Sequence, residues 1–413
     1  MQVDSRFMQA DTISLRQLRL FEGVGRLKSI RRASEECNLS QPAVTQSIAK
    51  LESHIGVTLL DRDTNGSYLN QSGFILHRRT TRFFEQIEQA ITELGCPGDR
   101  AGARAVARRL TKSQIRSLLL VAERVPFADA ARIQGLSAAS LQRTSRDLER
   151  NVGKQLYSRT PSGVIATPEG DTFGRRIRLA IQEIDLGLKE IDTARGIAST
   201  SIAIGAMPCG GSVMLASVLD RFVREFPQAS VKVTSSQSSD MLARLLCGDV
   251  DIALGLIPET LEEEIQAQPL VRTPYEIVAR RGHPLLHKGS VTIDDLAACD
   301  WIAGTPSSNR RAVFDQLFAG HEGPRAPITT CSMPVVRHLL TVGDRLTLMT
   351  SYERTYEGET LMPVPVPVSG PVPAIGVMIR RNWLPTRLHT NFIELLHRGM
   401  THIQPPRLVA QTA

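Results

Sequence analysis

The segment from Leu39 to Gly73 recurs ninety-seven residues later, with no insertion or deletion between the copies. Leu39-Ser40 returns as Leu136-Ser137, Leu51-Glu52 as Leu148-Glu149, Gly56 as Gly153 and Leu59 as Leu156. Arg62 returns as Arg159, Gly66 as Gly163 and Gly73 as Gly170, and the register reaches outward to Val24/Val121, Ala33/Ala130 and Arg78-Arg79/Arg175-Arg176. One offset shared by glycines, core leucines and arginines identifies a duplicated supersecondary unit, so the fold must hold two copies of one small module.

The first copy reads as three helices and a hairpin. Apolar Leu18, Phe21 and Val24–Leu27 form a helical stripe from Leu15 to about Lys28, and a second short helix at about Ile30–Cys37 carries the small Ala33. Asn38-Leu39-Ser40 makes the turn, Ser40 is a good N-cap, and Pro42 falls in the first turn, where its missing N–H costs nothing. The third helix buries Val44, Ile48, Leu51 and Ile55 and stops at Gly56, leaving Gln41, Pro42, Thr45 and Gln46 at its outward N-terminal end. VTLLDRDTNGSYLNQSG then turns at Asn65-Gly66 as a hairpin wing. A winged helix-turn-helix of this kind suits the major groove, where helix N-terminal side chains reach base edges. A module that serves only to dimerise has the same pattern.

The run LRQLRLFEGVGRLKSIRRASEECNLSQPAVTQSIAKLESHIGVTLLDR resembles the N-terminal domain of LysR-type transcriptional regulators. The resemblance implies that Gln41, Pro42, Thr45 and Gln46 read or face the groove. The wing of that family commonly offers arginines where this chain has Asn65 and Tyr68, which leaves Lys50, Arg31 and Arg32 as candidates for part of the phosphate clamp. In the second copy Ala138, Ala139, Gln142 and Arg143 replace the four reading residues, and Ser145 stands where Ile48 fills the core. Arg143, Arg146, Arg150 and Lys154 make its third helix more basic. Two readings stay open: a second head that holds mainly phosphate, with Ala138, Gln142, Arg143 and Arg146 against DNA, or a decayed copy kept as a spacer or dimer contact.

Each copy is followed by a helix with a narrow apolar stripe: Phe84, Ile87, Ile91 and Leu94 after the first, and Ile177, Ile181, Ile184, Leu188 and Ile191 after the second. Such a stripe seeks a partner helix; in the LysR-like pattern the equivalent helix pairs two subunits, so a dimer would carry four heads of two kinds. GCPGDRAGARAVARRL between the copies reads as a mobile basic linker able to lie along phosphates.

From Ser201 the period changes to short apolar runs, SIAIGAM, VKVTSS, DIALGLI and YEIVAR, with helical stretches between the earlier ones. Strand–helix alternation argues for an α/β fold with largely parallel sheets. WIAGT, LTLMTS and AIGVMIRR complete two lobes, which resemble the effector-binding domain of the same family and type 2 periplasmic binding proteins. Ligands in such sheets sit beyond the carboxyl ends of strands, against helix N-termini. That points to Met207, Pro208, Ser236, Ser238 and Gly255 in the first lobe and to Thr305, Ser307, Ser308 and Thr350 in the second, a hydroxyl-rich set suited to a carboxylate-bearing molecule. Helix capping is the plainer role for these hydroxyls, and exposed surface the plainer role for Arg310 and Arg311.

Charge agrees with this division. Residues 1–200 hold 30 Lys+Arg against 22 Asp+Glu, whereas residues 201–413 hold 19 against 20, so the excess positive charge lies with the repeats. The six cysteines form no CxxC, the nine histidines no HExxH, and no GxSxG, P-loop or GxGxxG is present. The reading is therefore a non-enzymatic protein without cofactor or metal, with reduced thiols and no membrane span, located in the cytoplasm. Its expected domains are winged helix-turn-helix modules at 13–79 and 110–170, a helix and basic linker at 80–109 and a dimerisation helix at 171–199. An effector domain follows at 200–400 (one lobe 200–271 with 371–400, the other 272–370), then a tail at 401–413. The expected partners are double-stranded DNA, a small-molecule effector and a second or further copy of the chain, as homodimer or homotetramer. An adaptor whose helix-turn-helix modules contact protein rather than DNA is the rival reading.

Overall fold

The computed structural model describes residues 13–63, 66–95, 100–161, 163–196, 201–208, 211–306 and 308–401. The chain divides into two units, residues 1–198 and 199–413. In the first unit, helices α1 (Leu15–Leu27), α2 (Ile30–Glu36) and α3 (Gln41–Ile55) precede strands β1 (Leu60–Asp63) and β2 (Gly66–Leu69) and the long helix α4 (Gln71–Glu93). Helix α5 (Arg100–Arg109) follows, and then α6 (Lys112–Ala122), α7 (Phe127–Ile133), α8 (Ala138–Val152), β3 (Tyr157–Thr160), β4 (Gly163–Ala166) and α9 (Pro168–Ala194) repeat the plan.

The two copies share their local chemistry as well as their elements. A capping box opens α1 through Ser14 and Gln17, and another opens α6 through Thr111 and Gln114. Ser40 and Ser137 cap α3 and α8, while Gly56 (φ 74°) and Gly153 (φ 67°) end those helices in the left-handed region. Glu52 accepts from the amides of Leu59 and Leu60, and Glu149 from those of Leu156 and Tyr157. Both hairpins are antiparallel in the same register, Leu60 facing Leu69 and Tyr157 facing Ala166. At the start of α4 and α9, a Cβ on Gly73 or Gly170 would lie 2.1 Å from the carbonyl oxygen of Leu59 or Leu156, so only glycine fits.

Where the copies differ inside, the differences compensate. Leu20, Ile48 and Leu60 are buried together in the first core. Their counterparts are Ser117, Ser145 and Tyr157, equally buried; the two serine hydroxyls sit 3.2 Å apart, and the Tyr157 hydroxyl lies beside them. Burial pushes that phenol well above its ordinary range, so it stays protonated. Likewise His77 packs onto Gly25 and bonds to the Glu22 carbonyl at 3.1 Å, whereas in the second copy Ala122 packs onto Gly174. Paired size changes of this kind belong to a core that is packed, not decayed.

Helices α4 and α9 pack antiparallel against each other within the chain. Arg79 pairs with Glu190 at 2.9 Å, and Arg176 with Glu93 at 3.0 Å. Subtracting the repeat offset turns one pair into the other, which is the reciprocity of a two-fold interface. Gln86 donates to Glu183, its own counterpart, at 3.1 Å, which places the pseudo-two-fold axis there. Arg79 and Glu183 are both buried and paired at 2.7 Å. The stripe residues Ile87, Ile91, Ile177, Ile184 and Ile191 are each at most 2% exposed and belong to one shared core. The expected partner of the dimerisation helix at 171–199 is thus found inside the same chain.

The mobile linker expected between the copies is corrected in its described part, where Arg100–Arg109 is helical. Alanine-rich sequence favours helix, and Ala103, Ala107 and Leu110 bury one face of it in the same core. Arg19 ties it down by donating to the carbonyls of Ala107 at 2.7 Å and Leu110 at 3.3 Å, while Arg104 and Arg108 turn to Glu88 and Glu36. Residues 96–99 lie outside the described residues.

The second unit begins with β5 (Ser201–Ala206), α10 (Gly211–Glu225), β6 (Ser230–Ser235), α11 (Ser238–Cys247), β7 (Ile252–Leu256) and β8 (Ile265–Arg272). The chain then builds β9 (Tyr275–Arg280), α12 (Ile293–Ala297), β10 (Asp300–Ala303), α13 (Asn309–Leu317), β11 (Ile328–Thr329) and α14 (Met333–Thr341). It ends with β12 (Arg345–Thr350), α15 (Ser351–Tyr356), β13 (Leu361–Pro363), β14 (Ala374–Arg380) and α16 (Arg387–Thr401). Two five-stranded sheets result, ordered β6-β5-β7-β14-β8 and β11-β10-β12-β9-β13. They are mixed rather than largely parallel: β14 runs antiparallel to β7 and β8, and β9 antiparallel to β12 and β13. β14 enters the first sheet after the excursion through the second, antiparallel to the strands on either side of it. β8, β11 and β13, too polar or too short to show as apolar runs, are the strands of this unit missed by periodicity.

Candidate nucleic-acid interface and effector cleft

On α3, Gln41, Pro42, Gln46 and Lys50 are exposed and Thr45 is half-buried, while Val44, Ile48 and Leu51 face the core. Helical spacing therefore gathers the four expected reading residues on one outward face at the N-terminal end. Arg31 and Arg32 stand exposed in the first turn of α2, where Ser29 caps the Arg32 amide; Arg31 shares its charge with Glu35 at 3.1 Å. Tyr68 is exposed on the wing, and Asn65 lies outside the described residues.

α8 presents the matching face with different chemistry. Ala138, Ala139, Arg143 and Arg146 are exposed and Gln142 is half-buried, around a buried stripe of Leu141, Ser145, Leu148 and Val152. Arg146 occupies the position of Ala49, and Asp147, which holds Arg150, that of Lys50. Arg159 is exposed on the second wing and Lys154 precedes it. Both heads present a formed, solvent-facing recognition helix, one neutral and one cationic.

In the second unit the expected effector residues gather at the carboxyl ends of strands but differ in what they offer. The Met207 side chain is fully buried and packs on Gly255, so only backbone is available there. Pro208, Ser236 and Ser238 are half-buried, and α11 starts at Ser238 without a side-chain cap. Ser308 caps α13 and donates to the Thr305 carbonyl at 2.7 Å; Thr350 caps α15 and bonds to Glu353. Those two hydroxyls are already engaged as caps. Ser307 lies outside the described residues. Arg310, expected at the surface, is 1% exposed and pairs with buried Glu353 at 3.1 Å, because α13 lays it beneath the loop after β10. Arg311 pairs with Asp315 at 2.8 Å.

Cys331 is the residue that sequence reading passed over. It follows β11 at the same edge, half-buried, with its Sγ 3.3 Å from the Thr305 hydroxyl. Burial pushes this thiol up, but hydrogen bonds from Thr305 and Ser308 and the charge of Arg310 outweigh it and hold the thiol below its ordinary value. Spaced 26 residues from Thr305, it forms no motif in the sequence.

Asp251, Thr386 and His389 resemble a catalytic triad only in connectivity. The Thr386 hydroxyl lies 2.7 Å from His389 Nδ1, and His389 Nε2 lies 3.3 Å from Asp251, but all three are at most 6% exposed. Asp251 also accepts from the Ala203 amide and faces Arg380, so the group anchors β7, β14 and α16 to one another. Among the described residues no group of three or more His, Cys, Asp or Glu is placed to hold a metal ion, and no helix is long and apolar enough to cross a membrane.

Comparison with known proteins agrees with both units. The family model for the bacterial regulatory helix-turn-helix protein, lysR family, matches twice, at residues 15–74 and 113–171. The LysR substrate binding domain model matches residues 195–401. The HTH-type transcriptional regulator GalR of Pseudomonas putida is 31% identical over 378 residues, covering 90% of this chain and 93% of its own. An alignment of that extent runs through both repeats. GbpR of Rhizobium radiobacter is 26% identical and covers 54% of this chain and 75% of its own. A full-length OxyR variant from Pseudomonas aeruginosa superposes with a TM-score of 0.49 at 19% identity, over 71% of this chain and 95% of that one.

Proposed function

The chain belongs to the LysR family of bacterial transcriptional regulators and is a DNA-binding regulator with a small-molecule effector domain; within that role, we propose that Gln41, Pro42, Thr45 and Gln46 read base edges in the major groove. The observation that carries this is the formed N-terminal face of α3, where Gln41, Pro42 and Gln46 stand exposed and Thr45 half-buried above a packed core. Glutamine amides match the donor and acceptor edge of adenine, and the Pro42 ring and Thr45 methyl suit a thymine methyl group. Arg31, Arg32 and Lys50 hold the flanking phosphates.

The effector site lies between the lobes, with Ser236, Ser238 and the uncapped start of α11 on one side and Thr305 and Cys331 on the other. Amides at a helix start favour an anion, so the effector is a small carboxylate, bound and released unchanged. Its binding favours one lobe closure and so shifts the population of DNA-bound arrangements. The protein acts in the cytoplasm, as a homodimer or homotetramer, and performs no catalysis. The test is footprinting at physiological salt. A protected, sequence-specific site is expected, and Gln41→Ala with Thr45→Ala should cost about 1–3 kcal/mol per lost contact against specific DNA alone. Uniform binding that collapses with added salt would instead identify an adaptor.

A further inference from the structure

We propose that one chain is a complete two-headed DNA reader, in which α4 and α9 form internally the helix pair that would otherwise join two subunits, and that its operator is therefore an asymmetric pair of unlike half-sites. The inference rests on the DNA-binding reading above and adds stoichiometry and specificity to it. Three observations carry it. The α4–α9 contact is antiparallel and reciprocal: Arg79 meets Glu190, Arg176 meets Glu93, and the axis passes between Gln86 and Glu183, the same position in both copies. Most of the apolar seam of each helix is buried in the core the two share: Ile87, Ile91, Ile177, Ile184 and Ile191 are at most 2% exposed, and Phe84, Leu94 and Ile181 are half-buried against it. The heads so placed are not equivalent, because Gln-Pro-Thr-Gln on α3 faces outward where α8 presents Ala138, Ala139, Gln142 and Arg143.

A two-fold interface between identical heads demands an inverted repeat, since the DNA must mirror the protein. A pseudo-two-fold interface between unlike heads demands inverted geometry with unlike letters. The first half-site suits adenine and thymine edges. The second is set by Arg143, whose guanidinium matches the O6 and N7 acceptors of guanine, with Gln142 beside it and Arg146 reaching phosphate. The alanines at 138 and 139 leave room for methyl contacts only. Association of further chains then has to use a surface other than the α4–α9 seam.

The experiment is selection of DNA from a random library by the full-length protein, alongside a head-converted variant carrying Ala138→Gln, Ala139→Pro, Gln142→Thr and Arg143→Gln. The added proline falls at the second position of α8, where Pro42 stands in α3 behind an identical serine cap, so the helix tolerates it. The wild-type chain should enrich two unlike halves at fixed spacing, and the variant an inverted repeat of the first. Arg143→Ala should relax the guanine preference of one half-site roughly tenfold and leave the other untouched. A wild-type inverted repeat, or a single half-site that the conversion does not change, overturns the proposal while leaving DNA binding intact. Failure of either protein to enrich any sequence overturns the DNA-reading role itself. Independently of DNA, Arg176→Lys followed by carbodiimide coupling to Glu93 should give the linked peptide in the monomer band of a denaturing gel. Recovery of that peptide only from covalent dimers would show that α4 and α9 pair between chains, and would sink the idea.

Discussion

Ser145, on the buried side of α8, looks in the sequence like erosion of a core that Ile48 fills in the first copy. Its partners are 28 residues before it and 12 after it, Ser117 and Tyr157, and no local pattern joins the three. In space they replace one apolar trio by two short hydroxyls and one long phenol. Ser145→Ile alone should therefore destabilise the protein by about 1–3 kcal/mol, because the added bulk meets a site already filled. The triple change Ser117→Leu, Ser145→Ile, Tyr157→Leu should recover most of that loss in urea unfolding. A triple cost equal to the sum of the single costs would mean that the hydroxyls do not act as a unit. Cys331 was illegible for the same reason, its environment coming from Thr305, Ser308 and Arg310 on other segments. Its lowered thiol pKa means that thiolate forms at lower pH than usual, whereas burial raises Cys37 and Cys299. Near neutral pH, mass mapping after brief iodoacetamide treatment should find Cys331 alkylated before Cys37 and Cys299, with the difference narrowing as pH rises through the thiol range. Equal labelling of all three would refute it.

Among elements, the helices of both modules and the three-residue turn before each recognition helix were readable, because caps, glycine stops and apolar spacing are local signals. The stripes on α4 and α9 were readable too. What they could not give was the address of the partner, since a seam looks the same whether its mate is in another subunit or further along the chain. The symmetric ion pairs supply that address, and one of them is a strong constraint. Glu183 is buried where the first copy has Gln86, and it answers both Arg79 at 2.7 Å and Arg82 at 3.2 Å. Glu183→Gln keeps the shape but leaves buried Arg79 with Glu190 as its remaining carboxylate, so unfolding of the N-terminal unit should lose about 1–3 kcal/mol. Adding Arg79→Met should restore part of it, because the buried guanidinium that lost one of its two carboxylates goes while Glu190 keeps Arg78. If the single change costs no more than an exposed pair, about 1 kcal/mol or less, the axis is not held by this charge. The linker was misread for a related reason: its arginines suggested solvent and phosphate, while Ala103 and Ala107, small enough to be overlooked, put one face into the core.

At the scale of the whole chain, the division of charge already separated the two tasks: the repeats carry 30 basic against 22 acidic residues, the remainder 19 against 20. Arg79, Arg104, Arg108, Arg176 and Arg178 all face glutamates, so the net positive charge is carried by other positions of the repeats. On the reading proposed above, the cations that meet DNA are those on the two heads, Arg31, Arg32 and Lys50 on the first and Arg143 and Arg146 on the second. Each phosphate neutralised releases counterions, and the logarithm of the binding constant falls with the logarithm of salt by about 0.9 per contact. If Arg146 holds a phosphate and no base, as proposed, Arg146→Ala should make that slope shallower by about 1 and weaken operator and random DNA alike. Gln46→Ala should leave the slope unchanged and weaken the operator only. Arg143→Ala should lie between them, lowering operator affinity more than random affinity, since the proposal has its charged guanidinium read a base. The four-way comparison in a salt titration therefore ranks the two heads by task. If Arg146→Ala changes neither slope nor affinity, the second head stands clear of the duplex, and α8 is a packed scaffold that holds only the symmetry of its neighbour.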